Sequence, residues 1–148
     1  MNSKDIEYFF KIAEVVASRS KDPSTKTGAV IVSKSRQILA CGYNGFPMGF
    51  DDSEEKYSNK DYKYPRVVHA EMNAILSAAK HGISTLDTSI FVIPIHVCSE
   101  CAKAIIQAGI KNVYIKVDKN DSRWIKSFEI SKELFDSCGV NVELFFNS

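Results

Sequence analysis

The sequence predicts an α/β protein: a three-layer α/β/α sandwich on a five-stranded mixed sheet. Three observations carry that expectation. Short runs of β-branched and apolar residues recur along the 148 residues. From residue 69 onward these runs alternate with stretches of helical period, a pattern that sets neighbouring strands parallel and covers the sheet with helices. The first two runs are instead separated by a short polar turn, which suits an antiparallel hairpin.

Taken in order, residues 5–18 place Ile6, Phe9, Phe10, Ala13 and Val16 on one helical stripe, and the run from Ser20 through Pro23 to Ser24 stops it. Residues 28–32 and 38–42 read as two strands around a turn at 33–36. Residues 44–66 lack periodicity and hold Asn44, Gly45, Pro47, Gly49, Asp51 and Asp52, so they read as a loop whose length marks it as functional. A helix over 69–81 closes with Gly82. Residues 89–95 form a buried strand, 98–108 a helix ended by Gly109, and 112–117 another strand. An amphipathic helix over 122–138 is closed by Gly139 and followed by a strand over 140–146. The order is α-β-β-α-β-α-β-α-β, with one domain over residues 1–148.

Hydrophobic residues make up 45% and charged residues 25%, the mix of a soluble globular chain able to form a core without disulfides. Nineteen Lys plus Arg stand against eighteen Asp plus Glu, for a net charge of +1. That balance disfavours broad binding to nucleic acid and leaves room for a local phosphate pocket. No apolar run approaches the roughly 20 residues of a membrane span, and the N-terminus lacks a signal-peptide core, so the expected compartment is the cytoplasm. Cys41, Cys98, Cys101 and Cys138 are then expected as thiols, and a CxxC pair points to metal binding or catalysis.

Two short segments carry the chemistry: His69-Ala70-Glu71 and Cys98-Ser99-Glu100-Cys101. Each opens a predicted helix. Cys98 and Cys101 are three residues apart and share a face of the first turn, where the partial positive charge of the helix end favours thiolates. Two thiolates and an imidazole suit zinc, and three protein ligands leave a fourth position for water, the mark of a catalytic ion. His69 and Glu71 converge only if the helix aims its N-terminus at the metal; Glu71 then serves as base without being a ligand. HxE followed by PCxxC is the known signature of zinc deaminases, in which the carboxylate shuttles protons during attack on the amine-bearing ring carbon. A closed structural site using Cys41, Cys138, His81 or His96 as fourth ligand is the rival. Cys41 and Cys138 read as core residues, His81 lies twelve positions beyond His69, and His96 reads as lining the pocket mouth or facing solvent.

At these residues the chain resembles the cytidine/deoxycytidylate deaminase superfamily, and most its dCMP branch. The resemblance runs through Arg19-Ser-Lys-Asp-Pro-Ser-Thr-Lys-Thr-Gly-Ala-Val-Ile-Val32, Gly42-Tyr-Asn-Gly-Phe-Pro47, Lys63-Tyr-Pro-Arg-Val-Val-His-Ala-Glu-Met-Asn-Ala-Ile75 and Cys98-Ser-Glu-Cys-Ala-Lys-Ala-Ile-Ile-Gln-Ala-Gly109. It implies a cytidine deaminase-like fold and hydrolysis of dCMP to dUMP and ammonia, supplying thymidylate synthesis. Glu71 is then the catalytic proton carrier, and His69, Cys98 and Cys101 are the ligands of zinc. The resemblance further implies a homo-oligomer, commonly a hexamer, and control by dCTP and dTTP with Gly42, Tyr43 and Gly45 near the effector. It sets Asn44 against the substrate's sugar, though Asn44 also suits a turn before Gly45, and offers Arg19 and Lys26 for the phosphate.

Two departures stand out. Val97 occupies the position before the first cysteine where the family usually has proline, with Pro94 three residues earlier. Residues 42–68 contain no Cys or His, so a second zinc site is not expected and one catalytic Zn2+ per subunit is. Lys21, Arg66, Lys116 and Arg123 are further candidate cations; Phe46, Tyr114 and Trp124 could stack on a base, though such rings more often belong to a core or an interface. The alternatives are a deaminase of another cytosine nucleoside or nucleotide, a nucleic-acid deaminase, and a non-enzymatic zinc-binding module.

Overall fold

The computed structural model describes residues 1–123 and 125–147. Trp124, one of the stacking candidates, lies outside them. Helix α1 (Ser3–Ala17) is followed by the strands β1 (Gly28–Val32) and β2 (Ile38–Tyr43). The short helices α2 (Glu54–Ser58) and α3 (Lys60–Lys63) precede α4 (Ala70–Lys80). Then come β3 (Ser89–Ile93), α5 (Ser99–Gln107), β4 (Asn112–Asp118), α6 (Ile125–Ser137) and β5 (Asn141–Asn147).

The sheet order is β2-β1-β3-β4-β5. β1 pairs antiparallel with both β2 and β3, while β3, β4 and β5 are parallel, so the sheet is mixed as expected. Each sheet face carries its own core. Phe9, Phe10, Ala13 and Ala17 of α1 pack on Val30, Val32, Phe91 and Tyr114. On the opposite face, Ala70, Ala74 and Ala78 of α4, Ala102 and Ile105 of α5, and Phe128 and Phe135 of α6 cover Ala29, Ile31, Ile90, Val92, Val113 and Ile115. β1 and β3 are buried along both faces, which is why they read as unbroken apolar runs. Tyr114 lies in the α1-side core, stacked on Phe91 at a centroid distance of 4.6 Å, and is therefore not a ring for a bound base.

Two glycines set how closely the helices approach. A Cβ on Gly28 would collide with the backbone of Ala13 and Ala17 in α1. A Cβ on Gly42 would collide with the carbonyl of Ala70 and the amide of Ala74 in α4. The sheet is thus gripped from opposite faces at adjacent strands, and the first turn of α4 is pressed onto β2.

The 44–66 segment departs from the expected loop by containing α2 and α3. Helices of five and four residues are too short to display a 3.6-residue period in sequence. They are held locally: Asn59 Oδ1 accepts from the Tyr62 amide at 3.2 Å, and the Tyr57 hydroxyl accepts from the Phe46 amide at 3.2 Å beneath the Phe46 ring. The ends of the segment are joined by a pair of backbone hydrogen bonds between Gly45 and Val68, at 3.1 and 2.7 Å. Cys41 and Cys138 also differ from expectation, for both are exposed. Side chains alternate along β2, so Ala40 and Gly42 face α4 and Cys41 points the other way, while Cys138 follows the last turn of α6.

Replacing Gly42 with alanine is expected to destabilise the protein by about 1–3 kcal/mol, the usual cost of overpacking a tight contact. A shift of the urea midpoint to lower concentration at constant m-value is the measurement; an unmoved midpoint would mean that α4 is not pressed onto β2.

Candidate active site

The register of the sheet assembles the site at one edge. Gly28 of β1 lies opposite both Tyr43 of β2 and Ile93 of β3, so the segments after β2 and β3 and before β1 meet there. The Gly45–Val68 bridge then delivers the start of α4 to the same place. His69 is the N-cap of α4 and Cys98 the N-cap of α5, both with extended backbone. Glu71 and Cys101 follow in the first turns of those helices. Two helix N-termini therefore face one point with their partial positive charge, which favours thiolate and carboxylate.

The Sγ atoms of Cys98 and Cys101 each lie 3.4 Å from His69 Nδ1. A tetrahedral zinc shell with ordinary Zn–S and Zn–N bonds sets sulfur and nitrogen about 3.6 Å apart, so these donors nearly form one face of such a shell. All three donor atoms lie within 4.8 Å of one another, and among the described residues no other His, Cys, Asp or Glu joins the group. Their protonation fits a cation as well. The Cys98 thiol is held down to about 4, chiefly by its hydrogen bond with Cys101, while Cys101 is pushed up by the same contact and by burial. The two sulfurs thus share one proton, which a divalent cation would replace. The group is positioned to hold one zinc ion. His81 takes no part: its Nδ1 lies 2.8 Å from the Ser77 carbonyl at the far end of α4.

Glu71 is buried beside this group. Desolvation pushes its carboxyl above the ordinary carboxylate range, and the charge of His69 opposes that rise. A carboxyl raised above its ordinary range gives up its proton less readily and takes one more readily, which suits general acid–base work.

Val97 is fully buried, and its carbonyl accepts a hydrogen bond of 2.8 Å from Ser131 of α6. Ser127, one turn earlier, accepts from the Ser99 amide at 3.0 Å. Two serines of α6 thus hold the backbone on either side of Cys98. Sequence reasoning missed them, since serines four apart on an amphipathic helix carry no signal of what they touch.

A cavity of about 110 Å³ opens from Glu71, His69 and Cys98. Its walls include Asn44, Thr27, Val67, Ile95 and His96, with Asp22, Ser24, Thr25, Lys60, Lys63, Tyr64 and Arg123 completing the lining. The His96 ring packs on Phe128 at 4.5 Å and lines the cavity without approaching the metal group. Asn44 is present with its amide engaged: Oδ1 accepts from the Thr27 amide at 2.9 Å, and Nδ2 donates to the Thr25 carbonyl at 2.9 Å and to Asp22 at 3.4 Å. Arg19 and Lys26 are not brought to this cavity; they border a separate depression, where Lys26 Nζ donates to the Ser20 carbonyl. The cavity's cations are instead Lys60, Lys63 and Arg123, of which sequence reasoning named only Arg123. Of the other candidate cations, Lys21 pairs with Asp52, Arg66 stacks on Tyr62, and Lys116 lies over the Phe10 ring. Gly42, Tyr43, Gly45 and Phe46 line an open groove between β2 and α4, apart from the metal group.

Residues 3–117 match the family model described as the cytidine and deoxycytidylate deaminase zinc-binding region. The chain is 42% identical over 144 residues to an uncharacterized deaminase in the luxG 3′ region of Aliivibrio fischeri, covering 96% of this chain and 94% of that protein. It is 41% identical over 145 residues to the deoxycytidylate deaminase of Pongo abelii, covering 94% and 78%. The crystal structure of dCMP deaminase from the cyanophage S-TIM5 in complex with dCMP and dUMP superposes with a TM-score of 0.79 at 31% identity, over 98% of this chain and 99% of that one. With a zinc-competent His-Cys-Cys group beside a buried glutamate on this fold, the chain belongs to the cytidine and deoxycytidylate deaminase family.

Proposed function

We propose that this protein hydrolyses dCMP to dUMP and ammonia. The observation that carries the reading is the convergence of His69, Cys98 and Cys101 with buried Glu71 beside a cavity whose lining includes the exposed cations Lys60 and Arg123. Its relatives include deoxycytidylate deaminases and a phage dCMP deaminase crystallised with dCMP and dUMP. Zinc in such a site polarises a water molecule so that hydroxide is available near neutral pH.

The chain's own residues do the rest. His69, Cys98 and Cys101 hold the ion and leave one side facing the cavity. Glu71 takes one proton from the attacking water and passes it to ring N3, then takes the second from the hydroxyl now on C4 and passes it to the amine as that leaves. Cavity walls of Val67 and Ile95 keep the ring desolvated while this happens. The hydroxyl-bearing Ser24 and Thr25 with Lys60 and Arg123 form the natural phosphate subsite, since a phosphate takes charge-assisted and neutral hydrogen bonds together. Arg123 is well placed for it, its Nη1 lying 3.1 Å from Thr25 Oγ1 while Asp121 holds the rest of the guanidinium. This reading favours these residues over Arg19 and Lys26. Asn44 serves the sugar by way of its remaining Oδ1 lone pair and its hold on the loop before β1.

The same reading takes residues 1–148 as one catalytic domain, acting in the cytoplasm as a homo-oligomer, with a hexamer favoured, and regulated by dCTP and dTTP. Among the described residues no helix is long and apolar enough to cross a membrane. The groove containing Gly42, Tyr43 and Gly45 also holds Asn73 and Lys80, polar groups suited to an effector nucleotide. Gly42 itself is already required by the packing of α4.

Ammonia release from a panel of cytosine compounds tests the proposal. dCMP should exceed deoxycytidine in kcat/KM by at least about 100-fold, the worth of a charge-assisted phosphate contact; equal turnover of the two would remove the phosphate assignment. Glu71→Gln should retain one zinc per chain by metal analysis and lose kcat by about 10²–10⁴-fold. A strong chelator should abolish activity, with zinc restoring it; activity that persists in the metal-free protein would rule out the site.

A further inference from the structure

The wall of the cavity contains an ion pair whose charge is hidden. Lys63 Nζ lies 3.0 Å from Asp22 Oδ2, with the two side chains only 5% and 4% exposed. Asp22 is further fixed by the Ser24 amide at 2.9 Å and Asn44 Nδ2 at 3.4 Å. Both residues line the cavity, yet neither belongs to the metal group. A buried ion pair is poor value for stability, because desolving two charges offsets most of their attraction, and an apolar pair of like volume commonly does as well. Its place in a substrate cavity is better explained by something it recognises.

The chemistry narrows what that is. An ammonium has three protons; Lys63 donates a hydrogen bond to Asp22 Oδ1 at 3.3 Å, is ion-paired with Oδ2 at 3.0 Å, and lies over the Tyr64 ring at 5.3 Å. Donor capacity remains for a further partner, on a cation already neutralised by its neighbour. A phosphate dianion placed there would meet the Asp22 carboxylate as well as the ammonium. A neutral hydroxyl fits: it accepts that further hydrogen bond, and it can donate to the second lone pair of Asn44 Oδ1, whose other bond is to Thr27. The base is committed to the metal end, and the exposed Lys60 and Arg123 suit the phosphate. The sugar is what is left, and a deoxyribose 5′-monophosphate has one hydroxyl. We propose that Lys63, held and neutralised by Asp22, is a specificity-determining residue that donates a hydrogen bond to the 3′-hydroxyl of the nucleotide.

This inference rests on the dCMP deaminase reading, and its test separates the two. Zinc-loaded full-length protein is assayed with dCMP and with 2′,3′-dideoxycytidine 5′-monophosphate, and the binding of dUMP and dideoxy-UMP is measured by calorimetry. The wild type should prefer the 3′-hydroxyl by about 10- to 100-fold in both kcat/KM and affinity, the range for a hydrogen bond to a charged group. Lys63→Met should lower kcat/KM for dCMP while leaving the dideoxy substrate within about threefold, so that the preference collapses. If Lys63→Met does not fold, having stranded the Asp22 charge, the double variant Asp22→Asn/Lys63→Met restores neutrality and should show the same collapse. A wild type indifferent to the hydroxyl in both measurements, or variants that lose activity equally on both substrates, would overturn the inference. A wild type inactive on both substrates strikes the deaminase reading instead, and the calorimetric comparison still decides for or against Lys63.

Discussion

Everything in this molecule depends on two helices from distant parts of the chain starting at the same point. His69 and Cys98 are N-caps, with extended backbone that turns each side chain forward of its helix and not along its flank. That geometry lets residues two apart, His69 and Glu71, serve one centre although they do not share a helix face. It also sets both helix ends, with their partial positive charge, around a group of thiolates and a carboxylate. Without metal the cluster is electrostatically awkward, with one proton between two sulfurs and a glutamate stripped of water. With a dication it becomes consistent, which is why binding and local order are coupled in sites of this kind.

The convergence is held by contacts that are not themselves chemical. α4 can lie against β2 only because Gly42 has no side chain, and the Gly45–Val68 bridge sets the angle at which the chain reaches His69. α5 is held from behind by Ser127 and Ser131, whose hydroxyls bind the Ser99 amide and the Val97 carbonyl. The departure at Val97 is accommodated here. Proline would have pre-set the backbone before Cys98; in its place a fully buried valine and a hydrogen-bonded carbonyl fix the same segment by packing. Small errors in any of these supports would reach the metal group directly, because rigid helices transmit displacement along their length.

The cavity separates its tasks by burial. Glu71 and Cys101 are buried, where a low dielectric strengthens each charge, with His69 and Cys98 half-buried beside them. Lys60 and Arg123 remain exposed, as suits attraction of an anionic ligand from solvent. The Asp22–Lys63 pair is as concealed as Glu71, neutral overall and rich in hydrogen-bonding capacity.

Much of this was legible in the sequence, and for identifiable reasons. Periodicity placed each long helix and strand because burial on one or two faces leaves a period of 3.6 or a continuous apolar run. His69, Glu71, Cys98 and Cys101 were readable because ligand chemistry restricts residue type and helix starts restrict spacing. α2 and α3 were not, being shorter than the period that would reveal them. Cys41 was misplaced because sequence tells that a strand exists but not which face of it meets a core. Arg19 and Lys26 looked as good as any cation, whereas Lys63 sits among several lysines and is set apart only by Asp22, 41 residues earlier. The sequence by itself determined the elements, the metal group and the glutamate beside it, since these depend on local pattern and residue type. Only the tertiary structure decided which cations face the cavity, which serines hold Cys98 and which glycine admits α4, because each is a contact between segments whose separation along the chain carries no periodic signal.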